Sequence, residues 1–469
     1  MPKKVTREQR DAVLRRLAQS QDRDTIAAAV GVTPGQVSAI SAHVRMGTYT
    51  LPAPAEQLQD LAPEPAERTS NLLRMLQHLD AAPGRETRLS PILLGSDAEG
   101  GEEVFWNPDP GSGAANPHVL ILGESGFGKT YTIASLSAEL AQENVVSVVF
   151  DYGQGFSPAT LPAEFVAATN PLELHAGRDG VDINPLQIFP SDLHGPVNVA
   201  QRVADTFARV YKRMGVQQHA VTRQAVLDVM TDAGITPDVP NSWTSDLPAF
   251  GAVQVKLQAY ASNPMNAQAR FAASAASHIS TVFVFNTFRA HGQKLAWSDI
   301  LRGDNRTVII QLKGLEYSLE RAVTEFLLWN LVGFIEALGP GPLRCFVILD
   351  EAHKLSFNPG SPVEKLLREG RKFGLGLILA SQQPEDFSSV AFANTATKIV
   401  FQVGDERGTI SRQLHRKIKN AHSFGEIYQL ITKLPRGCGY VVTENIGRVV
   451  RIASFPIRMS RWTGERAGG

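Results

Sequence analysis

Residues 118–130 read HVLILGESGFGKT. His118 to Leu122 is a short apolar run of strand character. Gly123 to Thr130 spells G-x-x-x-x-G-K-T, and the helix-patterned stretch YTIASLSAEL follows. Strand, glycine loop and helix in that order are the setting a phosphate-binding loop requires. Gly126 and Gly128 free the backbone to curl, so that successive N–H groups point inward at a phosphate. The helix that starts near Lys129 adds the positive end of its dipole. The pattern sends Lys129 to the β- and γ-phosphates and gives Thr130 a hydroxyl for Mg²⁺. Gly123, Ser125, Gly126, Gly128, Lys129, Thr130 and Tyr131 are therefore the expected binding set for ATP with Mg²⁺.

The second half of such a site lies far downstream. Residues 345–353 read CFVILDEAH, an apolar strand closed by Asp350 and Glu351. Asp350 is the expected partner of Mg²⁺ and its waters, and Glu351 the carboxylate that polarises an attacking water. A further buried strand, LGLILA at 375–380, ends in Ser381 and Gln382. Gln382 is thereby placed to sense a γ-phosphate.

Working outward, VVSVVFD (145–151), RTVIIQL (306–312), TKIVFQV (397–403), GYVVT (439–443) and RVVRIASF (448–455) read as further strands. Continuous apolar runs of this kind suit a sheet covered on both faces. RLSPILLG and EEVFWNP, from Arg88, read as a hairpin leading into the loop. A long apolar helix over Leu319–Leu338 stops at Gly339-Pro340. Residues 158–300 read as a mostly helical insertion, with no chemistry to assign to it.

Residues 6–46 read as three short helices, the second over about Arg23–Val30 and the third over Pro34–Arg45. Ala27, Gly31, Val37 and Ile40 form the pattern of a helix-turn-helix: a small residue at the crossing, a glycine in the turn and two aliphatic pins. Thr33, Pro34 and Gln36 mark the start of the third helix as cap, first turn and reciprocal capping partner. Gln36, Ser38, Ser41 and Arg45 are its expected outward, DNA-facing residues, although such modules also serve protein contacts. Residues 48–85 carry Pro52, Pro54, Pro63 and Pro65 among Ala, Glu and Gln, the composition of a linker, with a short helix over Asn71–Asp80.

The whole chain has 46 basic and 46 acidic residues among 469. Net charge therefore does not announce a nucleic-acid binder, and any such surface must be local. Residues 1–46 are the exception, with eight Lys/Arg against four Asp/Glu. Two cysteines, Cys345 and Cys438, are too few for a disulfide framework or a zinc site. The polar start MPKKVTREQR and the absence of a spanning apolar run point to a cytoplasmic protein with no membrane association.

The stretches NPHVLILGESGFGKT, FDYGQGF, DINPLQI, VILDEAHKL, REGRKFGLGLILASQQP and TKIVFQV resemble the HerA/FtsK superfamily of ATP-driven DNA translocases, on the HerA side. The resemblance spans roughly residues 86–456. It implies an α/β fold: a RecA-like P-loop NTPase core with a mainly parallel sheet and a large helical insertion, preceded by the small all-α module. The expected division is a helix-turn-helix module at 1–47, a linker at 48–85, an ATPase domain at 86–458 and a flexible tail at 459–469. The resemblance also implies a homo-hexamer around duplex DNA, a separate nuclease or effector partner, and a setting such as antiviral defence. Matched by motif, Gln382 takes the sensor role. Arg371 takes that of an arginine offered to the neighbouring subunit's nucleotide, with Arg368 as the competing candidate. The chain departs from the family in its short 88–108 hairpin and its N-terminal helices.

Two other classes fit parts of the sequence. The tetrapeptide DEAH also names a helicase family, but too few residues follow His353 for a second motor lobe of ~150 residues. A nucleotide-switched DNA-binding regulator would share the phosphate loop but turn over slowly and prefer one DNA site, and a ring scaffold that uses ATP only to assemble would not need Glu351 and Gln382.

Overall fold

The computed structural model describes residues 5–18, 22–45, 89–109, 115–288, 297–302, 304, 306–382, 387, 389–418 and 422–462. The chain divides into two units, Met1–Ser70 and Asn71–Gly469. The expected linker at 48–85 and its Asn71–Asp80 helix lie outside the described residues.

In the first unit the three helices run Arg7–Ala18, Arg23–Val30 and Pro34–Arg45. Thr6 and Gln9 cap the first helix reciprocally, with Gln9 Oε1 accepting from Thr6 N–H at 3.1 Å and Thr6 Oγ1 from Gln9 N–H at 3.2 Å. Asp22 caps the second. Gly31 ends it in the left-handed region, φ +71°, which costs glycine no side-chain clash. The second and third helices meet at 113°, within the range of helix-turn-helix units. Val13, Leu14, Ile26, Ala27, Val37 and Ile40 form the core.

The second unit is built on eleven strands among the described residues: β1 Ile92–Asp97, β2 Glu103–Trp106, β3 Val119–Leu122, β4 Val146–Asp151, β5 Leu172–His175, β6 Thr307–Gln311, β7 Cys345–Leu349, β8 Leu375–Ser381, β9 Thr397–Val400, β10 Cys438–Thr443 and β11 Ile446–Ile452. Their order in one sheet is β2-β1-β11-β10-β9-β3-β8-β7-β4-β6-β5. Strands β9 through β5 in that order pair parallel. The β10, β11, β1 and β2 extension is antiparallel.

Alternation along the strands divides the core in two. Leu120, Val148, Phe150, Ile310 and Leu377 face one side, while Val119, Ile121, Val149, Ile309, Ile348 and Ile378 face the other. The first side is covered by helices Pro196–Val210, Val216–Asp232, Ala269–Val284 and Tyr317–Leu338. The second is covered by the Lys129–Gln142 helix through Ile133, Leu136 and Leu140. Both faces of the strands are therefore dry, as a parallel sheet with crossover helices requires.

The 158–300 segment is mostly helical, as expected, with one short strand inside it, β5, which pairs with β6 at the sheet edge. LELH is short and bonded on one side only, so it lacks the apolar run that marks a central strand. The flexible tail does not begin at 459, because a helix runs Phe455–Trp462. Its fully buried Arg458 donates to the carbonyls of Leu93, Leu94 and Ala453 and meets Glu139 at 2.8 Å, and Trp462 Nε1 also reaches Glu139. Phe455, Arg458 and Trp462 share one helix face, and that face carries the packing. Residues 463–469 lie outside the described residues. No single described helix is long and apolar enough to cross a membrane.

Candidate active site

Parallel strands deliver their carboxyl ends to one edge of the sheet, and the expected chemistry gathers there. The loop leaving β3 is tied to its neighbours. Gly123 N–H donates to Ser381 O at the end of β8, and Glu124 N–H to Gln402 O beyond β9. Gly123, Gly126 and Gly128 have φ of +152°, +83° and +120°. At Gly123 an added Cβ would also sit 2.5 Å from Phe401 Cβ, so neither the backbone nor the space admits a side chain. Ser125 lies exposed in the turn, and Thr130 is half-buried in the first turn of the following helix.

Lys129 is nearly buried and folds back onto its own loop, donating to Gly123 O at 2.7 Å and Glu124 O at 3.0 Å. Burial lowers its pKa, opposed by the negative charges of Asp350, Glu351 and Glu124. Asp350 follows β7. Burial, then Glu351 and Asp151, push its carboxyl up to about 7, while Lys129 pulls it down. Three carboxylates around one lysine leave the edge short of positive charge. That donor chemistry, beside the Thr130 hydroxyl, fits a hard divalent cation bound mainly through phosphate and water.

Glu351 adopts the left-handed region at φ +60°, ψ +46°. For a residue with a Cβ this is strained, and the turn aims its carboxylate across the ends of β7 and β8. Gln382 Nε2 donates to Glu351 Oε1 at 2.6 Å, and His353 Nδ1 lies 3.2 Å from Glu351 Oε2. The two oxygens of Glu351 are thus oriented by two different groups. His353 Nδ1 is also 3.5 Å from Ser381 Oγ, so the histidine couples the β7 turn to the end of β8.

Asp151 ends β4. Its carboxylate is fully buried. It accepts from Gly153 N–H, Phe156 N–H and Gln311 Nε2, all at 2.9–3.0 Å. Gln311 Nε2 also donates to Glu173 on β5 at 3.0 Å. The turn that Asp151 fixes passes over Thr130, where a Cβ on Gly155 would stand 3.5 Å from Thr130 Cγ2. The FDYGQGF stretch is the signal that could have found this clamp.

Tyr131 turns away from the carboxylates. Its hydroxyl accepts from Phe455 N–H at 2.8 Å, and its ring meets that of Phe455 edge-on. With Phe127, Phe401, Ile452 and Ser454 it lines a cleft of about 220 Å³ beside the glycine loop.

Arg371 is not at this edge. It lies in the turn before β8, at the amino end of the strand, and donates to Ala115 O ahead of β3. Arg368 is exposed and paired with Glu364 four residues earlier. In the first unit, Gln36 spends its carbonyl on the cap, accepting from Thr33 N–H at 2.8 Å. Ser38 is exposed, Ser41 is half-buried, and Arg45 is the last residue of its helix.

Residues 112–331 match the family described as helicase HerA, central domain. No curated protein matches the chain. Among solved structures, VirB4 of Thermoanaerobacter pseudethanolicus aligns with a TM-score of 0.63 at 20% identity, over 80% of this chain and 99% of that one. The bacterial conjugative coupling protein TrwB aligns with a TM-score of 0.51 at 15% identity, over 72% of this chain and 84% of that one. TrwB has also been solved with ADP and Mg²⁺, and that structure aligns with a TM-score of 0.50 at 14% identity, over 72% of this chain and 84% of that one. These likenesses establish the fold, that of VirB4 and TrwB, and the matched segment is similar to the central domain of helicase HerA.

Proposed function

We propose that this protein is an ATP-driven motor on duplex DNA, assembled as a homo-hexameric ring, with ATP hydrolysed at the edge described above. The observation that carries the reading is the Glu351–Gln382 pair, a strained carboxylate held at 2.6 Å by an amide beside the phosphate loop. A protein that only stored nucleotide would not need a carboxylate so oriented.

The glycine loop and Lys129 bind the phosphates, and Lys129 exchanges its two carbonyl partners for phosphate oxygens. Thr130 and, through water, Asp350 would hold Mg²⁺, which when bound neutralises phosphate charge. Glu351 accepts a hydrogen bond from the attacking water and so polarises it, and Gln382 and His353 fix the orientation of Glu351. Arg371 stands across a seven-residue strand from Glu351, about 23 Å at 3.3 Å per residue. That distance bars Arg371 from its own nucleotide and suits service to a neighbour's.

For DNA, the core offers a cleft of about 320 Å³ lined by Tyr211, Lys212, Arg213, His278, Tyr317 and Arg321. The Arg321 guanidinium lies 5.7 Å from the Tyr317 ring centroid. Cations interleaved with aromatic faces suit a phosphodiester backbone. The helices at residues 5–45 supply a second DNA or partner contact, and any cutting falls to a separate nuclease or effector in a cytoplasmic, defence-type setting.

The test is steady-state ATPase activity with long duplex, single strand and no DNA. A motor gives steady turnover stimulated by duplex of any sequence, and the stimulation falls with salt. No stimulation by any DNA would favour the switch or scaffold instead.

A further inference from the structure

A cavity of about 450 Å³ opens at the amino ends of β3 and β9, on the side of the sheet away from the phosphate loop. Its lining includes Lys398, Lys417, Asn107, Asn116, Trp106 and Glu444. Lys398 is only 2% exposed, and its ammonium has one partner among the described residues, the carbonyl of Thr395. Neither lysine has an ion pair among the described residues. The flanking stretches 110–114 and 419–421 contain no Asp or Glu.

The two amides are oriented by their carbonyl ends. Asn116 Oδ1 accepts from His118 N–H and Ala396 N–H, both at 3.0 Å. Asn107 Oδ1 accepts from Asp109 N–H at 3.2 Å. Each therefore keeps its NH₂ group as a spare donor. The Trp106 indole N–H likewise has no acceptor among the described residues. Glu444 sits in the exposed β10–β11 turn and pairs with neither lysine.

A buried ammonium facing a second cation with one carbonyl partner is costly, and the cost is removed when an anion accepts from it. We propose that this cavity binds a small oxyanion of the phosphate class, held by Lys398, Lys417 and the amide donors of Asn107 and Asn116. A monatomic ion would leave most of the donors unmet, whereas a tetrahedral oxyanion presents an acceptor to several at once. The volume also admits a phosphate carried on a small molecule. Burial, and then Lys417, push the Lys398 pKa down to about 7, in keeping with a cation awaiting its counter-ion. The Arg371 guanidinium donates to Ala115 O, and Ala115 also lines the cavity, so the site adjoins that arginine.

The experiment is calorimetric titration of the full-length protein, kept saturated with ADP and Mg²⁺. Inorganic phosphate and AMP are compared with chloride at matched ionic strength. Saturable phosphate or AMP binding is expected, weakened at least tenfold by Lys398→Met and by the surface change Lys417→Met. Tighter AMP binding would identify a carried phosphate, and tighter inorganic phosphate binding a free one; both uphold the site. Lys398→Met should also raise the melting temperature without anion, because it removes an unpaired buried charge. Both lysines lie across the sheet from the phosphate loop, so their effects report this cavity whether or not the ATP reading holds. Binding no better than chloride, or unchanged affinity in both variants, would overturn the proposal.

Discussion

The two ends of the parallel strands are electrostatic opposites. At the carboxyl ends, Asp151, Asp350 and Glu351 close β4 and β7 around a single lysine. At the amino ends, Arg371 precedes β8, Lys398 opens β9 and the buried His118 precedes β3. One edge gathers carboxylates and the other gathers cations. The difference teaches that residues expected to act on one nucleotide are split between opposite ends of the sheet, with Glu351 and Gln382 at one and Arg371 at the other. In the ring proposed above, Arg371 of one subunit would meet the nucleotide edge of the next, and heterologous contacts of that kind form a ring where the rotation closes.

The largest expected effects attack the two edges separately. Arg371→Ala should lower turnover by about a thousandfold while leaving ATP affinity unchanged, since an arginine that meets transferring phosphate is worth that much or more. Glu351→Gln should cost about a hundredfold or more in turnover with binding kept, because a positioned base contributes on that scale. Equilibrium nucleotide binding alongside single-turnover hydrolysis separates the two quantities. A Glu351→Gln protein that hydrolyses at the wild-type rate would remove Glu351 from the chemistry.

The gathering of polar groups at the carboxyl edge was legible because they fall in contiguous motifs: GESGFGKT, LDEAH and LASQ each place a polar group directly after an apolar strand. The amino edge was not legible. Asn107, Asn116, Lys398 and Lys417 are scattered along the chain and meet only in the folded protein, where they line one cavity beside the neighbouring strands β3 and β9. The β5 strand was missed because LELH has neither length nor an apolar run. The last helix was missed because its anchor is Arg458, a residue that reads as surface in sequence and is buried here by donating to backbone carbonyls and to Glu139. The second and third helices of the first unit were legible because Gly31 and Thr33 punctuate them.

A smaller effect sharpens the amino edge. His118 is buried with its Nδ1 accepting from Leu377 N–H at 3.1 Å. Burial, and then Arg371, lower its pKa to about 4. The unfolded chain therefore binds a proton that the folded one refuses between about pH 6.5 and 4. The resulting stability is full above that window and is lost as pH falls through it, by at most about 3 kcal/mol. Urea titrations across the window should show this slope in the wild type and a flatter one in His118→Asn, whose carbonyl can still accept from Leu377. Equal slopes would mean that His118 is solvated rather than buried against Arg371.

Mixing Arg371→Ala with Glu351→Gln tests most directly whether the two edges complete each other. Each variant alone should be nearly inactive. In verified mixed oligomers, the intact arginine of a Glu351→Gln subunit can serve the intact glutamate of an Arg371→Ala neighbour, so ATPase activity should return to a measurable fraction of wild type. Mixed oligomers as inactive as either parent, or a monomer that hydrolyses ATP at the full rate, would contradict an active site shared between subunits.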